Sequence, residues 1–126
     1  HTFIAGSSCG GIISIYLGLK YQNVFSAIGA FSTAYEVEKQ DFLDFVSQTK
    51  INPKMRIYHD MGTNEDENRN AYFMDCHKQF DEILRTKIPE NNICMILDKG
   101  ATHSEVFWAK RFKIFLEFLY TKEKKV

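Results

Sequence analysis

The stretch Gly6-Ser7-Ser8-Cys9-Gly10-Gly11 joins an apolar run, Thr2-Phe3-Ile4-Ala5, directly to a segment where Ile12, Ile13, Ile15, Tyr16, Leu17 and Leu19 recur at helical spacing. A strand that hands over to a helix within two or three residues needs a sharp turn. The two backbones then pass so close that small residues are needed two positions before and two after the apex. Gly6 and Gly10 stand at those positions. Only one register of Gly-x-Ser-x-Gly fits, because centring on Ser7 requires glycine at Ala5 and centring on Cys9 requires glycine at Ser7. The apex hydroxyl is therefore that of Ser8. The bare spacing arises by chance in roughly 4% of chains of this length, so the strand before it and the helix after it give it its weight.

The alternation continues along the chain. Short apolar runs at about 2–6, 25–31, 55–60 and 93–97 read as four strands, and longer 3.6-period segments at 9–21, around Phe42 to Thr49, across Phe73 to Leu84 and at about 104–121 read as four helices. Gly6 closes the first strand in this reading, and the helix after it is apolar nearly all round, so it is expected to be buried on most sides. In the third helix Phe73, Cys76, Phe80, Ile83 and Leu84 share one face, leaving Asp75, Lys78, Gln79 and Glu82 outward and His77 on the polar side. Trp108, Phe112, Phe115, Leu116 and Leu119 line the fourth. Strand–helix alternation of this kind specifies an α/β fold with about four parallel strands and helices on both faces, and right-handed crossovers allow the strands to lie side by side in chain order. No repeat or linker divides the 126 residues, which read as a single domain. The tail Lys122-Glu123-Lys124-Lys125 reads as a solvated end.

Sixteen Lys and Arg balance sixteen Asp and Glu. No broad field then favours nucleic acid or an anionic membrane, and no apolar run approaches the ~20 residues of a membrane span. Three scattered cysteines make no disulfide framework, which points to a reducing, cytoplasmic setting. Cys76-His77 and His59-Asp60 are adjacent pairs whose side chains diverge, without the spacing of a metal site, so neither a metal nor a cofactor is expected. The chain opens on His1 rather than Met and is read as the interior of a longer protein.

A serine hydroxyl needs a base to take its proton. Of four histidines, His103 lies directly after the last strand and before the last helix, at the sheet edge where Ser8 also falls. His1 lies at the opposite edge, His59 is inside the third strand and His77 is on a helix. An acid must orient the imidazole, and in this kind of fold it lies between the serine and the histidine in the chain. The loop Gly62-Thr63-Asn64-Glu65-Asp66-Glu67 offers candidates in that order, while Asp60 and Asp98 read as strand-ending residues. The helix beginning at Cys9 presents that residue's amide N–H, and the positive end of its dipole, to an oxyanion.

These residues resemble the putative-esterase branch of the α/β-hydrolases, which includes esterase D and the feruloyl, acetyl-xylan and enterobactin-type esterases. The resemblance lies in Phe3 to Gly11, in Tyr21 to Ser32, in Asp60 to Glu65, and in Gly100 to Glu105 with Trp108, and spans essentially the whole chain. It implies that Ser8 is the nucleophile, His103 the general base and Glu65 the acid, with Asp66 the alternate, and that the Cys9 backbone N–H is one oxyanion donor. It further implies that the chain is the C-terminal half of the fold, equivalent to its strands 5–8. The second oxyanion donor would then lie outside the chain, and the first strand would expose an apolar edge open to homo-oligomer pairing. The implied activity is hydrolysis of a small-molecule or carbohydrate ester. The same residues also suit a thioesterase or acyltransferase, and a non-catalytic fragment or interaction module is the reading from a different class.

Overall fold

The computed structural model describes residues 2–35, 39–66 and 68–121; His1, Glu67 and the charged tail, each read above, lie outside the described residues. Strands β1 (Phe3–Ser7), β2 (Ala27–Phe31), β3 (Arg56–Gly62) and β4 (Ile93–Asp98) form one parallel sheet in the order β1-β2-β3-β4. Helices α1 (Cys9–Lys20), α2 (Lys39–Gln48) and α3 (Asn70–Arg85) connect them, and α4 (Glu105–Thr121) follows. Among the described residues no helix is long and apolar enough to cross a membrane.

Sequential parallel strands joined by crossovers of one hand place all the connecting helices on the same face. The side chains sort accordingly. Ile15 and Leu19 of α1, Phe42 and Val46 of α2, and Phe73, Phe80 and Leu84 of α3 pack with Ile28, Ala30, Ile57 and Met61 of the sheet. The alternate strand residues Phe31 and Tyr58 point the other way and pack on Phe115 of α4, with Ala5, Cys94, Ile96, Trp108 and Leu116 around them. The period of two along each strand thus feeds two cores.

Several details depart from the sequence reading. β1 runs one residue past Gly6, to Ser7, and β3 runs on to Gly62, so Asp60 is a buried mid-strand residue rather than a strand end; Asp98 does end β4. α1 is not buried on most sides, since Ile13 and Tyr16 are exposed, Tyr16 stacking on Phe45. On α4 Phe112 is exposed, and Arg111 is buried beside that apolar stripe. His77 lies inside rather than on the polar side, and Asp81 is buried with it.

The reason for the last departure is mutual satisfaction. Asp81 Oδ1 lies 2.8 Å from His59 Nε2, and a carboxylate can only accept, so that nitrogen carries the proton. Neutral His59 then accepts at Nδ1 from His77 Nδ1, 3.1 Å away, while Arg85 Nε donates to Asp81 Oδ2 at 2.6 Å. Burial tends to raise Asp81, but the hydrogen bonds from His59 and Arg85 hold it down at about 2.

Burial also lowers His59, and burial together with the neighbouring His59 takes His77 down to about 2. The unfolded chain therefore binds protons below about pH 6.5 that the folded chain refuses. The contribution of this pair to stability is complete above that pH and is lost as the pH falls. Buried Asp60, pushed up to about 6 from 3.8, has the opposite sign: its contribution is complete below 3.8 and lost as the pH rises through 6. Replacing His77 by Gln is accordingly expected to flatten the rise of the melting temperature between about pH 4 and pH 6.5. Parallel melting curves for the two proteins across that range would contradict it.

Candidate active site

Ser8 occupies the turn between β1 and α1 at φ 57°, ψ −121°, a left-handed conformation that costs a residue with a side chain of order 1–3 kcal/mol. Its backbone is held from several sides. Its N–H donates to Phe31 O at 2.9 Å, and its carbonyl accepts from Gly11 N at 3.0 Å and Ala34 N at 3.1 Å. A methyl group on Gly6 would lie 2.4 Å from the Gly10 carbonyl oxygen and 2.9 Å from Ser14 Oγ, so the close strand–helix approach demands glycine there. Gly10 itself faces open space among the described residues, and the second close contact falls at Gly11, against Thr33. The amide of Cys9, first residue of α1, lies outside the hydrogen-bond ladder of the helix by its position.

The loops after β3 and β4 are stitched together. Thr63 N donates to Asp98 O at 3.0 Å, Asn64 N to Ala101 O at 3.0 Å, and Gly100 N to Thr63 Oγ1 at 2.7 Å. A side chain on Gly62 would meet the Ala101 carbonyl at 2.3 Å, so this approach too requires glycine. The stitching brings Glu65 and His103, 38 residues apart in the chain, into contact.

His103 Nε2 lies 3.0 Å from Ser8 Oγ, and His103 Nδ1 lies 2.6 Å from Glu65 Oε1. The carboxylate is an acceptor only, so Nδ1 carries the proton, and the lone pair of Nε2 in the neutral ring is left to accept from the serine hydroxyl. Trp108 packs edge-on against His103, with ring centroids 4.9 Å apart. The Glu65 side chain is 1% exposed and its other oxygen, Oε2, accepts from Ser32 Oγ at 2.6 Å and Gly62 N at 2.7 Å.

Asp66 faces elsewhere. Its carboxylate accepts from the Asn68 and Arg69 amides and pairs with the Arg69 guanidinium at 3.3 Å, and the Asn68 amide bond is the main reason it is held below the usual carboxylate range. The structure thus brings Ser8, His103 and Glu65 together and leaves Asp66 apart. A cleft of about 190 Å³ opens beside them, with Ser32, Thr33, Glu65, Asp66, Arg69 and His103 among its lining residues, so Asp66 borders the cleft without reaching His103. Among the described residues no group of three or more His, Cys, Asp or Glu is arranged to hold a metal ion.

Ser32, Asp60 and Arg111 stand behind Glu65 and carry no role in the sequence reading. Ser32 has a left-handed backbone, φ 45°. Its amide donates to Asp60 Oδ1 at 2.9 Å, and Tyr58 OH donates to the other oxygen of that carboxylate. The one signal in the sequence was a charged residue, Arg111, set into the apolar repeat of the last helix.

Residues 1–118 match the model of a protein family described as "Putative esterase". An uncharacterized protein of Bacillus subtilis (strain 168), YbbA, is 30% identical over 123 residues, 94% of this chain and 49% of that protein. The chain therefore spans about half the length of the curated relative it matches. In solved structures the fold superimposes on the enterobactin esterase FES from Shigella flexneri with a TM-score of 0.78 and 20% identity, over 96% of this chain and 31% of that one. A ferulic acid esterase gives 0.70 and 18%, over 94% and 50%.

The turn geometry yields a direct expectation. Gly6→Ala places its methyl group against backbone atoms that cannot rotate away and destabilises the fold by about 2 kcal/mol, read as a lower urea midpoint. A midpoint equal to the parent's would contradict the close approach.

Proposed function

Since the chain belongs to the putative esterase family, whose activity is carboxylic ester hydrolysis, we propose that this protein is a serine esterase working through Ser8, His103 and Glu65. The observation that carries the reading is the unbroken line of contacts from Ser8 Oγ to His103 Nε2 at 3.0 Å and from His103 Nδ1 to Glu65 Oε1 at 2.6 Å. In the proposed reaction His103 takes the Ser8 proton as Oγ attacks the ester carbonyl. The Cys9 amide N–H, at the positive end of α1, donates to the oxyanion. His103 then passes its proton to the departing alcohol, leaving an acyl-serine. Water activated by the same imidazole releases the acid and restores Ser8. Glu65 holds the ring in the tautomer that leaves Nε2 free to accept and stabilises the imidazolium as it forms.

In this reading residues 1–126 are one partial catalytic domain. β1 lies at the edge of the sheet with Phe3 exposed, and an apolar groove lined by Ala5, Phe31, Trp108 and Phe112 runs beside it. That edge takes the rest of the fold, which supplies the second oxyanion donor. Carbohydrate acyl esters are the substrate class to screen first, against thioesters and acyl acceptors other than water.

Hydrolysis of p-nitrophenyl acetate and labelling by a fluorophosphonate probe test the reading. Ser8→Ala and His103→Ala are expected to lower kcat by at least about a thousandfold, and Ser8→Ala to abolish labelling. Glu65→Ala is expected to cost at least about a hundredfold, and Asp66→Ala less than about threefold. Activity that survives Ser8→Ala would overturn the assignment, and a larger loss in Asp66→Ala than in Glu65→Ala would reassign the acid.

A further inference from the structure

Behind Glu65 lies a charged group that the scheme above does not use. Arg111 is 1% exposed. Its Nη1 lies 2.9 Å from Asp60 Oδ1, its Nη2 donates to Ser32 Oγ at 3.0 Å, and its Nε donates to Phe107 O at 3.2 Å and stands 3.5 Å from Asp98 Oδ2. A guanidinium has donors only. Ser32 Oγ must therefore accept from Arg111, and its single proton is left to point at Glu65 Oε2, 2.6 Å away. The donor-only guanidinium and the acceptor-only carboxylate thus set the direction of the Ser32 link from its two ends, and the carboxylate sets that of the bond from His103.

The backbone of Ser32 is set to the same end. Its left-handed φ of 45° is costly for a residue with a side chain, and Asp60 stabilises it by accepting the Ser32 amide at both its main-chain oxygen, 3.2 Å, and Oδ1, 2.9 Å. A buried Arg–Asp pair alone requires neither a hydroxyl between it and Glu65 nor a strained residue to carry that hydroxyl. Strain of this kind, held by its surroundings next to reacting groups, is a mark of function.

Resting on the esterase reading above, we propose that Arg111 and Ser32 are positioning residues of the site: Arg111 fixes the hydroxyl of Ser32, and Ser32 locks the Glu65 carboxylate onto His103. Asp60 fixes Arg111 and the backbone of Ser32 in turn. Neither Ser32 nor Arg111 touches the reacting atoms; both act through Glu65.

The test compares the native protein with Ser32→Ala, which breaks the link but keeps the Arg111–Asp60 pair, and with Arg111→Lys, which keeps a cation for Asp60 but cannot also orient Ser32. In each variant kcat for p-nitrophenyl acetate is expected to fall about tenfold with KM unchanged. The acid limb of the kcat/KM profile, which reports protonation of the catalytic base, is expected to move by about half a pH unit or more. The low-field proton resonance of the His103–Glu65 hydrogen bond shifts or broadens in both. A purely structural role lowers the melting temperature and leaves kcat, the acid limb and the resonance unchanged; that result overturns the proposal. If hydrolysis survives Ser8→Ala, it is the esterase reading that fails. The link through Ser32 is then judged on the resonance alone, a shift in Ser32→Ala supporting it and an unmoved signal refuting it.

Discussion

Ser8 is held in a backbone conformation that it would not choose, and the elements around it are arranged to keep it there. Phe31 at the end of β2, Ala34 just beyond it and Gly11 in α1 each hydrogen-bond its main chain, so parallel pairing of β1 with β2 and docking of α1 are both needed to fix one serine. The same pairing carries β3 and β4 alongside, and their carboxyl ends supply the two stitched loops that deliver Glu65 and His103. The site is in that sense a property of the whole sheet edge, where the ligands of open α/β sheets bind.

Two buried carboxylates, Asp60 on β3 and Glu65 in the loop after it, and one buried guanidinium, Arg111 on α4, lie close together in space around Ser32. Left alone, a buried charge is expensive; each carboxylate is kept by the donors and the cation that converge on it, and the guanidinium by acceptors. Glu65 collects His103, Ser32 and Gly62, while Asp60 collects Ser32, Tyr58 and Arg111. Burial pushes Asp60 up to about 6 even so, and Arg111, the Tyr58 hydroxyl and the Ser32 amide restrain it from going further. Ser32 bonds to both carboxylates, through its amide to one and its hydroxyl to the other, which couples their positions.

Much of this was legible in the sequence because it is local. Gly6 before Ser8 encodes the tight turn, though the second close contact falls at Gly11 rather than Gly10, and the alternation of short apolar runs with helical periods encodes four strands and four helices. That an acid of the loop 62–67 falls between Ser8 and His103 follows from where loops lie in such a fold; the preference for Glu65 over Asp66 comes with the family resemblance. The polar residues that went unread are those whose burial depends on a partner distant in the chain. His77 and Asp81 look like surface residues of α3 until His59, on the preceding strand, is seen to satisfy them. Arg111 interrupts the apolar repeat of α4, and only Asp60 and Ser32 beneath it account for its burial. Periodicity reports which face is apolar; it does not report a charge neutralised across elements. The exposed Ile13 and Phe112 show the converse, since hydrophobic residues at helical spacing do not by themselves say which element covers them.

The most direct test of the central claim is a crystal structure of the native protein after reaction with a phosphonate ester. Phosphorus is expected bonded to Ser8 Oγ, with a phosphonyl oxygen accepting from the Cys9 amide and His103 Nε2 within hydrogen-bond reach while Glu65 stays on Nδ1. An adduct on another residue, or a phosphonyl oxygen turned away from Cys9 with His103 swung off Glu65, would contradict it.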